Sequence, residues 1–275
     1  MDLSVLIGLA LALGALLGGF MMEEGVLASL AMPSAALIVF GGTIGAAIVS
    51  FPLQRVLSLP ILFKVALLSP KIDTNAILEQ FVSMADLARR EGLLALEDKA
   101  QSLPDAFLKK GILLVVDGSD PETVRRILET DIEAREKRHE GGYAMLEAMG
   151  GYAPTMGIIG TVLGLVHVLG SLEDPSKLGP AIAVAFVATL YGVASANILW
   201  LPLGSKLKTK STEEAYLKGV MLEGILAVQA GDNPRVVADK LEPFLPPKAQ
   251  KGDQKKASAT RDPFGSDMDE AALVG

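Results

Sequence analysis

Four stretches of this 275-residue chain contain no aspartate, glutamate, lysine or arginine: Leu3–Met22, Val26–Gln54, Ala148–Leu172 and Leu178–Ser205, of 20, 29, 25 and 28 residues. A helix needs roughly 20 apolar residues to cross the hydrocarbon layer of a bilayer, so each stretch is long enough to span it. The second is expected to span about Ser34 to Phe51, with Pro33 opening the helix and Pro52 closing it. Lipid satisfies no open strand edge, and none of the four runs shows the alternation of a barrel strand, so the spans are read as helices. Composition agrees, with half the residues hydrophobic, 21% charged and a mean hydropathy of +0.41. The charges are dense in some regions and absent from others, which argues against a single soluble core and against general disorder. The first stretch does not read as a signal peptide. Asp2 stands where a basic segment would be needed, and no small-x-small cleavage pattern precedes Glu23.

Orientation follows from the basic residues. Residues 52–145 carry 13 lysines and arginines and the segment after Ser205 carries 11, whereas the connector between the last two spans has only Lys177 and that between the first two has none. This asymmetry places both termini and the long middle loop in the cytoplasm. The expected fold is an all-α integral membrane protein, with four transmembrane helices in two hairpins and a helical cytoplasmic domain. The expected segments are residues 1–54 for spans 1 and 2, 55–147 for the cytoplasmic domain, 148–205 for spans 3 and 4, 206–242 for a cytoplasmic C-terminal helix and 243–275 for a flexible charged tail.

Within the loop, Ile77, Phe81, Met84 and Leu87–Ala88 form one stripe at helical spacing, and Leu93, Leu94 and Leu96 begin another. Arg89-Arg90-Glu91-Gly92 reads as a helix end, and Asp120-Pro121 as a cap followed by proline at the first helical position. Residues 122–140 are nearly saturated with mixed charge and are expected to form a solvated helix that feeds the third span through Gly141-Gly142, with His139 solvated on it. The tail from Pro243 has few large apolar groups and cannot offset the entropy of ordering.

The absence of cysteine excludes thiolate metal sites, disulfides and a cysteine nucleophile, and two histidines leave little for a metal or catalytic cluster. A net charge of −7 gives no general basic footprint for nucleic acid. Nucleotide-binding and nucleophile-elbow motifs are lacking, so neither an enzyme nor a cofactor is expected. No acid or amine lies within the spans. Proton and cation pathways across membranes usually rely on an intramembrane acid, which for an ion-conducting role would come here from another polypeptide.

The polar side chains that remain are concentrated in the last two spans: Thr155 and Thr161 in the third, and Thr189, Tyr191, Ser195 and Asn197 in the fourth. A membrane threonine commonly bonds its own backbone or a neighbouring helix, and the sharper alternative is a hydroxyl beside an ion path. Gly157, Gly160 and Gly164 in the third span, and Gly41 and Gly45 in the second, have spacings that let helices approach closely. Pro154 and Pro202 stand at the inner ends of spans 3 and 4, either as ordinary helix-terminal prolines or as hinges. His167, near the outer end of the third span, reads as an interface residue rather than a proton relay.

The run from Gly151 to Val166, GYAPTMGIIGTVLGLV, resembles the third-span signature of the MotA/PomA family of flagellar stator A subunits. The run Ala185 to Gly192, with Asn197 and Pro202, resembles the fourth. The layout of two spans, a large loop, two spans and a charged tail is similar too, over residues 1 to about 240. The resemblance implies a homopentamer in the bacterial inner membrane around two copies of a MotB-type subunit, whose single transmembrane helix supplies a critical aspartate. Ion flow then drives the ring against the rotor. By the same resemblance Thr161 and Thr189 lie near the ion path, and Pro154 and Pro202 serve conformational coupling. Arg89 or the adjacent Arg90, with Glu97, contacts the rotor switch protein FliG. The transported ion, proton or sodium, stays open. An ExbB/TolQ-like energising subunit is the alternative, but such proteins have one span before the large loop and this chain has two. A membrane scaffold without ion flux is a third reading, in which the threonines only pack.

Overall fold

The computed structural model describes residues 2–68, 74–170, 172–173 and 175–244. The expected tail lies, beyond Phe244, outside the described residues. Every regular element in them is helical. In chain order these are α1 (Leu3–Met22), a 3-10 turn at Leu27–Leu30, α2 (Pro33–Ala36), a π turn at Leu37–Gly41 and α3 (Gly42–Ser50). Next come α4 (Leu53–Leu57), α5 (Leu59–Leu67), α6 (Thr74–Glu91), α7 (Leu96–Gln101) and α8 (Ala106–Val116). The chain continues with α9 (Pro121–Leu169), α10 (Pro175–Ser195), a π turn at Ala196–Trp200, α11 (Leu201–Gln229) and α12 (Pro234–Leu241).

Local chemistry sets the boundaries. Asp2 caps α1, its carboxylate accepting from the Ser4 amide at 3.3 Å. Phe51, extended at φ −130° and ψ 153°, ends α3 because the ring of Pro52 disfavours a helical residue before it. Gly92, at φ +87°, closes α6 in a conformation that other residues adopt only with strain. Asp105 caps α8 through the Phe107 and Leu108 amides, and Asp120 caps α9 through that of Thr123. The charged segment and the third span form one helix, the 49-residue α9, as the sequence suggested.

The chain divides into two compact units, residues 1–71 with 133–215, and 72–132 with 216–275, so it passes between them within α9 and α11. The first unit holds four runs long and apolar enough to cross a membrane, at Leu3–Met22, at Leu27–Ser50, within α9 and between Leu178 and Gln229. Its core is built around Met145, Leu146, Met149, Ala153, Trp200 and Leu203, with Phe63 against Trp200 at a ring separation of 6.0 Å. Gly141 and Gly142 matter here as packing positions, since the Arg55 guanidinium lies on the first and Leu62 on the second. His139, expected to be merely solvated, is exposed but places Nδ1 at 3.2 Å from the buried Ser211 hydroxyl.

The second unit packs α6, α7, α8 and α12 with the first turns of α9 and the last turns of α11 around Phe81, Met84, Leu108, Ile112, Leu128 and Ile225. The stripe of Ile77, Phe81, Met84, Leu87 and Ala88 faces this core as expected. The second stripe does not hold. Leu96 is buried and Leu93 half-buried, but Leu94 is 73% exposed. Residues Leu93–Ala95 form a 3-10 turn after Gly92, so an α-helical face cannot be drawn through them.

Lys218 is the buried cation of this unit, donating to the Asp105 carboxylate at 2.6 Å with its Nζ over the Phe107 ring at 5.1 Å. Burial pushes the Asp105 carboxyl up, but the Lys218 ammonium and the Leu108 and Phe107 amides outweigh it and hold it below its ordinary range. A carboxyl depressed in the folded state stabilises above its unfolded pKa, and that stability is lost as pH falls through the folded value. Asp105→Asn keeps a capping side chain but removes the charge. It is expected to lower protection of the α8 amides by about 1 kcal/mol at neutral pH, a figure kept low because the carboxylate is partly solvated. The deficit should shrink as the solution is acidified through the carboxylate range. Hydrogen exchange on the intact protein checks this, and a deficit constant with pH would contradict it.

Candidate functional site

The site begins with glycine. On α9, a methyl group placed on Gly157 would come within 2.9 Å of the Ala188 carbonyl oxygen, and one on Gly164 within 2.9 Å of the Ala185 Cα. From the other side, a methyl on Gly192 of α10 would lie 2.5 Å from the Ala153 carbonyl oxygen. The two helices therefore meet backbone to backbone at Gly157, Gly164 and Gly192, while Gly160 seats the Ala188 methyl group. The second glycine pair of the sequence behaves differently: Gly45 has open space within 4 Å, and it is Gly42 that lies against another helix, at Met156.

Close approach brings the two threonines together. Thr161 Oγ1 lies 3.1 Å from the carbonyl of Gly157 on its own helix and 3.1 Å from that of Ala185 on α10, and it also meets the Thr189 hydroxyl. Each hydroxyl carries one hydrogen, so four oxygens share two hydrogens and keep unused lone pairs. Such a neutral cluster suits a hard cation or a hydrated proton. Its own polar groups are already matched, so packing alone also accounts for the bonds.

The two prolines are placed differently from a helix-terminal reading. Pro154 lies inside α9, so it is not a first-turn proline, and the carbonyl of Gly150 four residues back has no amide to accept from. Pro202 follows the π turn Ala196–Trp200 with helix on both sides. It has no N–H for Ile198, and its ring would press on that carbonyl; the wider turn around Ile198 relieves the clash. Nearby side chains bond back to carbonyls of the preceding turn, with Asn197 Nδ2 donating to Val193 O at 2.9 Å and Ser195 Oγ to Gly192 O at 3.2 Å. The two breaks adjoin, because a methyl on Gly150 would lie 2.4 Å from Leu201, the residue before Pro202. Tyr191, read only as a polar residue of the span, ties α10 to the second span, donating to the Leu30 carbonyl and accepting from the Met32 amide at 3.3 Å.

Arg89 and Arg90 occupy the last turn of α6 and Glu97 the first turn of α7, all three exposed. Arg90 is paired with Asp86 one turn back, at 2.9 Å. Among the described residues Arg89 has no ion pair. Sequence reasoning missed Gly192, Gly150 and exposed Leu94, the first two because neither has a glycine three or four residues away to give a spacing signal.

The MotA/TolQ/ExbB proton channel family matches residues 99–218, and the motility protein A N-terminal region matches residues 6–92. Motility protein A of Bacillus subtilis (strain 168) is 41% identical over 270 residues, covering 94% of this chain and 100% of the relative. The chain belongs to the motility protein A family of flagellar stator subunits. Chemotaxis protein PomA of Vibrio alginolyticus is 35% identical over 251 residues, covering 89% of this chain and 96% of its own. The structure of the flagellar MotAB stator complex from Bacillus subtilis aligns with a TM-score of 0.85 at 41% identity, over 90% of this chain and 98% of that one. C. jejuni MotAB aligns equally well at 31% identity, over 90% of this chain and 97% of that one. Membership and the four apolar helices make this a multi-pass inner-membrane protein of an ion-channel family. The ExbB/TolQ-like alternative is not favoured, since the N-terminal match extends through both early spans.

The packing predicts a rescue. In Gly160→Ala the new methyl would meet the Ala188 Cβ at 2.6 Å, whereas in Gly192→Ala it would meet backbone. Each single change is expected to cost about 1–3 kcal/mol by overpacking. Adding Ala188→Gly should restore the thermal stability of Gly160→Ala but not of Gly192→Ala. Melting of the purified membrane complex reads this, and equal rescue of both would refute the backbone contact.

Proposed function

We propose that this chain forms a homopentamer around a dimer of a MotB-type subunit, that the partner's transmembrane aspartate completes an ion path at Thr161 and Thr189, and that ion passage turns the ring against the rotor. The observation that carries the reading is the oxygen cluster of Thr161, Thr189, Gly157 and Ala185, set in spans that contain no aspartate, glutamate, lysine or arginine. An ion crossing hydrocarbon needs a counter-charge, and here it must come from a second polypeptide. The subunit moves its cargo, proton or sodium, without transforming it, so no catalytic group or cofactor enters. Both termini and the helical unit lie in the cytoplasm, on the side that carries 24 of the 25 basic residues.

Pro154 and Pro202 act as hinges on this reading. Each interrupts the hydrogen-bond ladder of a span that contributes to the oxygen cluster, and the interruptions touch through Gly150 and Leu201. Arg89 and Glu97 meet complementary charges on FliG, with Leu94 between them in sequence as an apolar side chain held in water until it is covered.

The test is swimming speed of a stator-deletion strain given this chain and its cognate B subunit, as sodium is varied at fixed pH and with a protonophore control. Speed that saturates with sodium assigns a sodium path. Speed indifferent to sodium and abolished by the protonophore assigns a proton path. In either case Thr189→Ala should slow swimming at unchanged protein level. Wild-type speed in Thr189→Ala would reduce the threonines to packing, and failure to rescue in both conditions would overturn the stator reading.

The rotor tip gives a second prediction. Arg89→Glu should reduce torque strongly with ion flux unchanged, and Arg90→Glu, whose wild-type charge is engaged by Asp86, should do so less. Bead-assay torque alongside ion uptake separates the two. A larger loss from Arg90→Glu would move the contact to that residue.

A further inference from the structure

At the base of the fourth span the chain builds a charged junction of three elements. Asp2 Oδ1 caps α1 through the Ser4 amide at 3.3 Å and the Ser4 hydroxyl at 2.6 Å. Its Oδ2 pairs with Lys206 Nζ of α11 at 2.7 Å and lies 3.9 Å from Lys210 Nζ. The Asp2 amide donates to the Leu67 carbonyl at the end of α5, at 2.7 Å. Lys210 closes that end, donating to the carbonyls of Val65, Ala66 and Leu68 at 2.9, 2.8 and 2.8 Å. These are acceptors that a helix terminus leaves without intrahelical partners. The Asp2 and Lys210 side chains retain only 12% and 17% of their exposure, so solvent screens the junction less than an ordinary surface pair. Burial pushes the Lys210 ammonium below its ordinary range, and the Asp2 carboxylate is the largest influence opposing that shift.

The junction's position gives it meaning. Lys206 lies one turn past Pro202 and Lys210 two turns past, with Leu203 and Leu207 of the same segment buried in the core. A proline break works as a hinge only if one side is held, because the missing hydrogen bond otherwise leaves slack in both directions.

We infer that Asp2, Lys206 and Lys210 are positioning residues that clamp the base of the fourth span to the start of α1 and the end of α5. Movement near the threonine pair is then taken up as bending at Pro202. The inference rests on the hinge reading of Pro202. A simple cap and surface pair would have no bearing on coupling, and that difference is measurable.

Asp2→Asn separates the two roles, because asparagine caps a helix as well as aspartate does while the charge is lost. Full-length variants are expressed with the cognate B subunit in stator-deletion cells. Single-motor torque at high load, ion uptake, membrane level and co-isolation of the B subunit are recorded. Asp2→Asn and Lys206→Gln should assemble normally and conduct ions, but torque per ion should fall severalfold, with Lys206→Arg restoring it. Pro202→Ala, run in parallel, should abolish torque.

Wild-type torque in Asp2→Asn and Lys206→Gln with loss in Pro202→Ala would overturn the clamp and leave the hinge standing. Wild-type torque in all three would remove the hinge reading as well. Torque and uptake falling in proportion, or failure of both clamp variants to assemble, would overturn the clamp as a coupling device and leave these residues a purely structural role.

Discussion

The site depends on one contact, the close meeting of α9 and α10, backbone to backbone at Gly157, Gly164 and Gly192 and against the Ala188 methyl group at Gly160. In lipid, helices gain nothing from hiding apolar side chains from one another, so association rests on close van der Waals fit and on polar groups that bridge. Glycine supplies that fit here at a helix-propensity cost of roughly 1 kcal/mol per residue in water. The bilayer offsets the cost, because a spanning chain has no alternative to the helix. Without that closeness the Ala185 carbonyl would stand too far from Thr161, and the oxygen cluster would not exist. Bulk at these positions would therefore undo both the packing and the chemistry.

A second constraint is continuity. Two very long helical runs, α9 and the run from Pro175 to Gln229, each carry a proline in mid-course. The second accommodates it with a π turn at Ala196–Trp200, around which the Asn197 and Ser195 side chains bond the carbonyls of Val193 and Gly192. Because Gly150 packs on Leu201, the two proline-bearing points share one contact, and on the hinge reading proposed above a change of angle at either would be felt at the other. Packed helices repack between discrete arrangements more readily than they deform continuously, which suits a stepwise device.

Much of this was legible from charge and small-residue spacing. The four spans follow from where Asp, Glu, Lys and Arg stop, and the ends of α6 and α9 follow from Gly92 and from Asp120-Pro121, because those signals are local. What the sequence hid is long-range or irregular. No side-chain pattern announces a π turn, and the spacing of Gly41 and Gly45 points to a contact that Gly42 makes instead. The stripe through Leu94 failed because a 3-10 turn changes the angular step per residue. Asp2 could be read only as a missing basic residue, since its partners Lys206 and Lys210 lie some two hundred positions away. The segment 55–67 carries Arg55 and Lys64 and so falls outside the charge-free windows, yet it packs Val56 and Ala66 into the same core as the spans. Spacing shows a face; it does not show which neighbour covers it.

The neutrality of the spans is as informative as any side chain in them. A fixed charge beside Thr161 would bind a passing cation or a partner's carboxylate tightly in one place, and tight binding at one station opposes movement to the next. Hydroxyl and carbonyl oxygens offer a shallower hold, enough to replace part of an ion's water without trapping it. On the stator reading the one strong charge rides on the other subunit, and each copy of this chain meets it with the same uncharged oxygens. Equivalent, shallow stations around a ring are what allow one acid to pass from copy to copy with small barriers. The deep minima are confined to structural pairs such as Asp2 with Lys206, which lie outside the charge-free spans.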